Sequence, residues 1–488
     1  MNNKKNNYLL KNTIALSIGN FGSKLITFLL VPLYTNVLTL AEYGTIDLIT
    51  VITTVLVPVI TLNIHESVMR FMIDKDSDSD SILSIGLIMI LITFIICLVS
   101  FPIFRIINVT SEYSLLLVLY MLSFSISNIF MCYIRGKEKL FDYSIIGIIQ
   151  SILIASFNIF FLLYLKAGIK GYIFSYVIAY LLTSIICILR GKIFTNYHFV
   201  FNSKLAKSML KYSVFLIPNS LMWWIINSLD RFMVTSIISI DANGIYSVSY
   251  KIPTILITLT TIFNQAWMFS AIKENEKKKE EKNNYTNTIY SGLFNIVISL
   301  SLFILLILKP LMKIYVGKDF YSAWMYTPLL IIGAFFLTLG TFISNEYTAN
   351  KDSLGFLKSS SVGAVLNLIL NFILIPRIGI FGAALATCVS YISVFIFRYF
   401  DTKKYIKLNI CDTKKIIGVV LLIISSSVVY IDNIFIYIIL FLALIIELLM
   451  NLDFWKKMFN FGINLLKRKK GVKSWFVKKV NVPDAVLA

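Results

Sequence analysis

Residues 11–44, KNTIALSIGNFGSKLITFLLVPLYTNVLTLAEYG, open on a lysine, run apolar for longer than a membrane crossing, and close on a glycine. Residues 211–244, KYSVFLIPNSLMWWIINSLDRFMVTSIISIDANG, do the same at the same length. Laid over one another without a gap, they pair Leu16 with Leu216, Leu29 with Leu229, Thr35 with Thr235, and Leu38-Thr39-Leu40 with Ile238-Ser239-Ile240. A second echo sets Gly168-Ile169-Lys170-Gly171 against Gly379-Ile380-Phe381-Gly382, at an offset of 211 and thus close to the first offset of 200. An apolar helix of about 20 residues crosses the hydrocarbon layer, so each quoted stretch reads as a first span and the turn into a second.

Outward from this pair, apolar runs between charged or Gly/Pro/Asn punctuation predict spans near 12–35, 44–65, 82–104, 114–134, 143–165, 169–189 and 212–238. A second set follows near 244–270, 286–308, 323–345, 356–376, 380–400, 416–431 and 434–450. The composition agrees with these fourteen helices, since 58% of the 488 residues are hydrophobic, only 14% are charged and the mean hydropathy is +0.82. No soluble domain hides that much apolar surface. The expected class is therefore an all-α integral membrane protein. Both offsets correspond to six spans, so the copies keep one orientation about an axis along the membrane normal. This divides the chain into a lobe at 1–200 (helices 1–6), a lobe at 201–403 (helices 7–12), two added helices at 404–452 and a basic tail at 453–488.

Cytoplasmic loops carry the excess of Lys and Arg, and alternating loops test the count. One side collects 35 of the 45 basic residues, including both termini, and the other collects seven. Both termini are thereby placed in the cytoplasm, and the polar N-terminus with its lysines reads as the start of an uncleaved first span. The net charge of +20 follows from this topology and does not call for nucleic acid. Three basic residues, Lys24, Arg231 and Lys251, are left uncounted on either side and fall well inside spans, where a cation costs about 2.5–3.5 kcal/mol on insertion scales and faces a cavity or a partner.

Catalytic chemistry has little to build on. The five cysteines show no CxxC spacing, His65 and His198 have no partner at helical spacing, and no metal or cofactor site is expected. No G-x-x-x-x-G-K-[ST] loop is present, and Arg135-Gly136-Lys137-Glu138 lacks both the upstream glycine and the hydroxyl. ATP is not expected as the direct fuel, and the chain is not expected to be an enzyme.

Several stretches resemble the polysaccharide (O-antigen type) flippases of the multidrug/oligosaccharidyl-lipid/polysaccharide exporter superfamily. They are Leu38-Thr39-Leu40-Ala41-Glu42-Tyr43-Gly44, Ser228-Leu229-Asp230-Arg231, Gly244-Ile245-Tyr246-Ser247-Val248-Ser249-Tyr250-Lys251, and Asn367-Leu368-Ile369-Leu370-Asn371 with Pro376 and Gly379-Ile380-Phe381-Gly382 after it. The resemblance covers about residues 8–410. It implies two six-helix lobes around a central cavity, and alternating access that carries an undecaprenyl-diphosphate-linked oligosaccharide to the outer leaflet of a bacterial plasma membrane. The partners it implies are that lipid-linked sugar, membrane lipids, and the polymerase and glycosyltransferases of the same pathway.

Arg231 and Lys251 lie ten residues before and after the turn near Asp241, and so at one depth on antiparallel neighbours. They are the expected diphosphate site, with Lys24 nearer the cytoplasmic side. The competing reading is an ion pair between Asp230 and Lys251 that locks two helices. Asp47 and Asp230 are the candidates for ion coupling. Glu66 and Glu346 read as solvated helix ends, Lys273 to Lys282 as a solvated loop, and the Asn and Trp residues within spans as hydrogen bonds between helices. Two rival functions remain open. A drug or organic-ion exporter of the same superfamily suits fewer cations, and a membrane glycosyltransferase or polymerase needs a larger outer loop than 309–322.

Overall fold

A computed structural model describes residues 19, 21–74, 78–106, 111–274, 278–350 and 352–460. The onset of the first span with Asn20, Lys75, Lys277, Lys351 and the tail beyond 460 lie outside these residues, as do the side chains of Asn219 and Gln265. Every regular element among the described residues is helical. In chain order these are α1 (Phe21–Val37), α2 (Leu40–Ile60), α3 (Ile64–Met72), α4 (Ser79–Ile106), α5 (Ser114–Gly136), α6 (Leu140–Tyr164), α7 (Gly168–Gly191), α8 (Ser203–Val214) and α9 (Ile217–Ile237). They continue with α10 (Ile240–Ser249), α11 (Lys251–Glu274), α12 (Lys279–Tyr315), α13 (Thr327–Ala349), α14 (Ser353–Ile378), α15 (Ile380–Asp401), α16 (Thr413–Val428), α17 (Phe435–Met450) and α18 (Leu452–Asn460). Nine helices among the described residues are long and apolar enough to cross a membrane: α2, α4, α5, α6, α7, α12, α13, α14 and α15. The chain is a multi-pass, all-helical membrane protein.

Proline decides where two of the helices bend. The expected eighth span, 244–270, is not one helix but α10 and α11 with a break at Tyr250. Pro253 has no N–H to give and its ring crowds the carbonyl four residues back, which is that of Ser249. The Thr327 hydroxyl donates to this carbonyl at 3.3 Å. In the first span Pro32 follows a break at Leu30, and the carbonyl four residues back, at Phe28, accepts from the Tyr315 hydroxyl at 2.8 Å. Without water, each freed carbonyl needs such a donor.

Residues equated by the offset of 200 touch one another. Thr39 and Ser239 cap α2 and α10, each accepting from the backbone N–H three residues on. Just past the caps the helices cross so closely that a Cβ on Gly44 would overlap the Ile240 carbonyl oxygen, and one on Gly244 would overlap the Leu40 carbonyl oxygen. Asn243 adds a bond from its side-chain amide to the Gly44 carbonyl, at 3.0 Å. Gly168 and Gly379, equated by the second echo, both take positive φ, at 53° and 60°, where a glycine bears no Cβ penalty.

By contact the chain divides into two compact units. One comprises 1–284 with 307–408 and holds the two equated stretches 11–44 and 211–244; the other comprises 409–488 together with 285–306, which the sequence reading assigned to the second lobe. Within the second, Ser299 donates to buried Glu447, whose other oxygen accepts from Asn451 at 3.0 Å.

Three charged residues expected at solvent are buried in the first unit. Glu346 is no solvated end, because it is 2% exposed and ion-paired at 2.6 Å to Lys282, which the sequence reading placed in a loop. Arg398, counted with the loop after the twelfth span, is wholly buried in α15, donating to the Ser359 hydroxyl at 3.1 Å and the Gly340 carbonyl at 3.0 Å. For Lys282 and Glu346 the reason is that α12 and α13 extend past their apolar runs and meet there; Arg398 lies within the last turns of the expected span itself, where α13 and α14 supply its partners. The expected outer loop 309–322 is likewise mostly helical, with α12 reaching Tyr315 and a 3₁₀ segment at Lys318–Met325.

The crossing yields a first prediction. Gly44→Ala lowers the melting temperature of the purified protein, whereas Gly147→Ala, whose added Cβ meets nothing nearer than 3.8 Å, stays within about 0.5 kcal/mol of the parent. A melting curve for Gly44→Ala that overlays the parent's would refute the close crossing.

Candidate functional site

One helical turn beyond the glycine crossing, α2 presents Asp47, which is buried. The Arg231 guanidinium of α9 reaches it, Nη1 to Oδ1 at 3.1 Å. The same Oδ1 accepts from the Ser247 hydroxyl of α10 at 2.7 Å. Asp47 and Ser247 are themselves 200 positions apart, so this hydrogen bond joins two residues that the repeat offset equates. The grip is partial, because Asp47 Oδ2 and Arg231 Nε are buried without partners.

Asp230 and Arg231, adjacent on α9, point apart as a helix requires, about 100° from one another. Asp230 is fully buried on a different face of α9, where it accepts from the hydroxyls of Tyr246 and, at 3.1 Å, Thr387 of α15. It does not pair with Lys251, so the ion pair weighed from the sequence is absent. Arg231 lies over the Tyr250 ring, 5.4 Å from its centre.

The helix break at Tyr250 puts Lys251 at the first residue of α11, half-buried, with its ammonium 5.9 Å from the centre of the Tyr43 ring. The charges acting on it are Asp47, Arg231 and Lys24. Lys24, on α1, is an exposed side chain. The approach of the two lysines has a counterpart in the repeat: Lys24 equates with Trp224 and Lys251 with Val51, and the Trp224 indole N–H donates to the Val51 carbonyl at 3.3 Å. The structure thus brings Lys24, Asp47, Arg231 and Lys251 into one cluster and turns Asp230 away from it.

Hydroxyl partners are what sequence reasoning missed. Ser247 was accessible by adding the repeat offset to Asp47, and Tyr43 by stepping back one turn, whereas Tyr246 and Thr387 carried no such signal. Of the polar residues read as bonds between helices, Asn227 accepts from the Tyr391 hydroxyl at 2.8 Å and Asn63 donates to the Ser220 hydroxyl at 3.4 Å. Asn158 instead bonds the Ile154 carbonyl of its own helix.

A family model described as "Polysaccharide biosynthesis protein" matches residues 9–269, more than half of the chain and all of the cluster. The chain belongs to the polysaccharide biosynthesis protein family. Over 229 residues it is 26% identical to the uncharacterized membrane protein MJ1068 of Methanocaldococcus jannaschii, covering 46% of this chain and 45% of that one. Over 274 residues it is 27% identical to MJ1375 of the same organism, covering 50% and 62%. The chain thus spans about half the length of these relatives. Among solved structures, the lipid II flippase MurJ in an inward closed conformation superposes with a TM-score of 0.69 at 15% identity, over 92% of this chain and all of that one. An outward-facing multidrug resistance MATE transporter of the MOP superfamily gives 0.59 at 16% identity, over 81% and 94%. At such identities the likeness is one of fold, and this polysaccharide biosynthesis family member has the fold of a MOP superfamily transporter.

Breaking one side of a buried pair strands the other, at a cost of about 3–5 kcal/mol. Arg231→Ala is therefore expected to destabilise the protein by about that much, and Arg231→Ala with Asp47→Ala to recover most of it. Denaturation in mixed micelles measures both, and an unrecovered double variant would show that the pair is not what holds Asp47.

Proposed function

We propose that the protein flips an undecaprenyl-diphosphate-linked oligosaccharide from the inner to the outer leaflet of a bacterial plasma membrane, for surface polysaccharide synthesis. The observation that carries this reading is the surplus of cations where the repeats meet: Arg231 is paired with the buried carboxylate of Asp47, which also acts on Lys251, and the charge of Lys24 acts on Lys251 as well. Keeping Arg231 and Lys251 there, both half-buried and beside one another, is costly in an apolar bundle unless an anion visits, and a diphosphate is met by a guanidinium fork and two point charges, Lys251 and the exposed Lys24. Membership of a polysaccharide biosynthesis family and a fold like that of a lipid II flippase support the same class of cargo. The likeness to MATE transporters supports an exporter of organic ions as the second reading, and the sign of the cluster favours an anionic cargo over a cationic one.

In this account the lobes at 1–200 and 201–403 rock about the shared axis, Lys24 meets the diphosphate first, and Arg231 with Lys251 holds it at mid-membrane. Asp47 and Asp230 are the groups available for ion coupling. The helices at 404–452 and the basic tail at 453–488 stand outside the repeat, and both termini are cytoplasmic on the charge count.

Two measurements test it. In a flippase-deficient strain, surface polysaccharide normalised to inserted protein is expected to fall partly with Arg231→Lys and at least tenfold with Arg231→Ala; normal export by Arg231→Ala would sink the role of Arg231. For orientation, Glu280→Cys and Asn433→Cys, both at exposed positions, are placed in a chain stripped of native cysteines. An impermeant thiol reagent added to intact cells is expected to label 433 and spare 280, and labelling of both would refute the topology.

A further inference from the structure

We infer that the crevice between α2 and α9 is a sugar subsite: the ring next to the diphosphate stacks on Trp224 and is bonded by the hydroxyls of Thr54 and Ser220. The inference rests on the diphosphate reading of the cluster and deepens it, by naming which part of the cargo is met where. Its first support is register. Thr54 is seven residues beyond Asp47 on α2, and Trp224 is seven residues before Arg231 on α9. Seven residues are about 10.5 Å of rise and fall only about 20° short of two full turns. Both residues therefore lie in line with the ion pair, on the faces of α2 and α9 that meet there. The crevice opens at that level, with about 190 Å³ of empty space whose lining includes Thr54, Pro58, Ile217, Ser220, Leu221 and Trp224. Drug-sized pockets begin near about 300 Å³, so this one takes a single ring and not a whole repeat unit.

The second support is the chemistry of the lining. Trp224 is half-buried and its ring is held in place, because the indole N–H donates to the Val51 carbonyl at 3.3 Å and Phe232 meets it edge-on with ring centres 6.1 Å apart. An aromatic face is negative and attracts the C–H face of a pyranose. Thr54 and Ser220 donate to carbonyls of their own chain segments, Val51 at 2.9 Å and Leu216 at 3.2 Å. Their oxygens keep acceptor capacity for sugar hydroxyls. None of the described lining residues is charged, so the ring that fits is a neutral one. A prenyl chain is the other apolar candidate, and direction argues against it. The start of α9 lies on the side that the charge count assigns to the cytoplasm, and a lipid in the inner leaflet presents its sugar that way while its chain runs towards mid-membrane.

The repeat supplies the third support. Its offset equates the crevice of α2 and α9 with that of α1 and α11, setting Trp224 against Lys24, Val51 against Lys251 and Thr54 against Thr254. Where one crevice offers cations, its counterpart offers an aromatic ring and an aliphatic wall. Two crevices at equated positions thus suit the two halves of one headgroup, phosphate and sugar.

The test uses the full chain in lipid nanodiscs and two probes that share a farnesyl diphosphate diester, one ending in N-acetylglucosamine and the other in a methyl group. Titration calorimetry gives a Kd for each, and the ratio of the two reads the sugar alone. The parent is expected to bind the sugar probe at least tenfold more tightly. Trp224→Leu is expected to bring the ratio within twofold of one, the loss falling on the sugar probe, while Trp224→Phe, which keeps a ring, retains most of it. Thr54→Val, nearly isosteric and at an exposed position, is expected to lower the ratio about threefold and stands in if Trp224→Leu does not fold. A parent ratio near one overturns the inference, as does a full ratio in Trp224→Leu or Thr54→Val. Equal weakening of both probes by Trp224→Leu would give the crevice to the prenyl chain and overturns it too. No binding of either probe by the parent overturns the diphosphate reading itself, which separates the two failures.

Discussion

Arg231 can sit within an apolar bundle because Asp47 reaches it from the other copy of the repeat, and most of the architecture nearby serves that reach. A guanidinium and a carboxylate on different helices meet only if the helices approach closely. The Gly44 and Gly244 crossing, one turn away, supplies the approach by removing two side chains from the contact. Any Cβ there would force the helices apart over the turn that carries Asp47, and the ion pair, the Ser247 bond and the spacing of the two lysines would all change together.

The second constraint is the backbone's own polarity. Pro32 and Pro253 each end a helix segment inside a span, and each leaves a carbonyl that cannot be left bare in an apolar setting. Tyr315 and Thr327 satisfy them from outside the broken spans. The break at Tyr250 does more than bend the chain, because it makes Lys251 the opening residue of a new helix and turns its side chain towards Tyr43.

Buried charge elsewhere has a different character. Lys282 and Glu346 are matched one to one, Glu447 is held by Ser299 and Asn451, and Arg398 is fixed by a hydroxyl, a carbonyl and the Phe356 ring. Each of these is a closed local arrangement within one unit. The cluster at Asp47 differs in its surplus of cations and its unpartnered atoms, and the contrast within one molecule is why the cluster, and not the other buried charges, is read as the place for a ligand.

The sequence by itself determined that the chain crosses the membrane many times, that the stretch 11–44 has an echo 200 positions on, and that Lys24, Arg231 and Lys251 lie inside spans. Hydropathy and charge count are sums over many residues, and a few misplaced ends do not change them. The pairing of side chains was decided only by the tertiary structure. Asp230 and Asp47 are equally apolar in their surroundings along the chain, yet one turns to Tyr246 and Thr387 and the other to Arg231, because a rotation of 100° about a helix axis leaves no trace in a hydropathy profile. The burial of Lys282, Glu346 and Arg398 was hidden for a related reason. Where a helix end meets water or a neighbouring helix depends on how far the packed bundle extends, and that is a property of the assembled helices and not of any one segment.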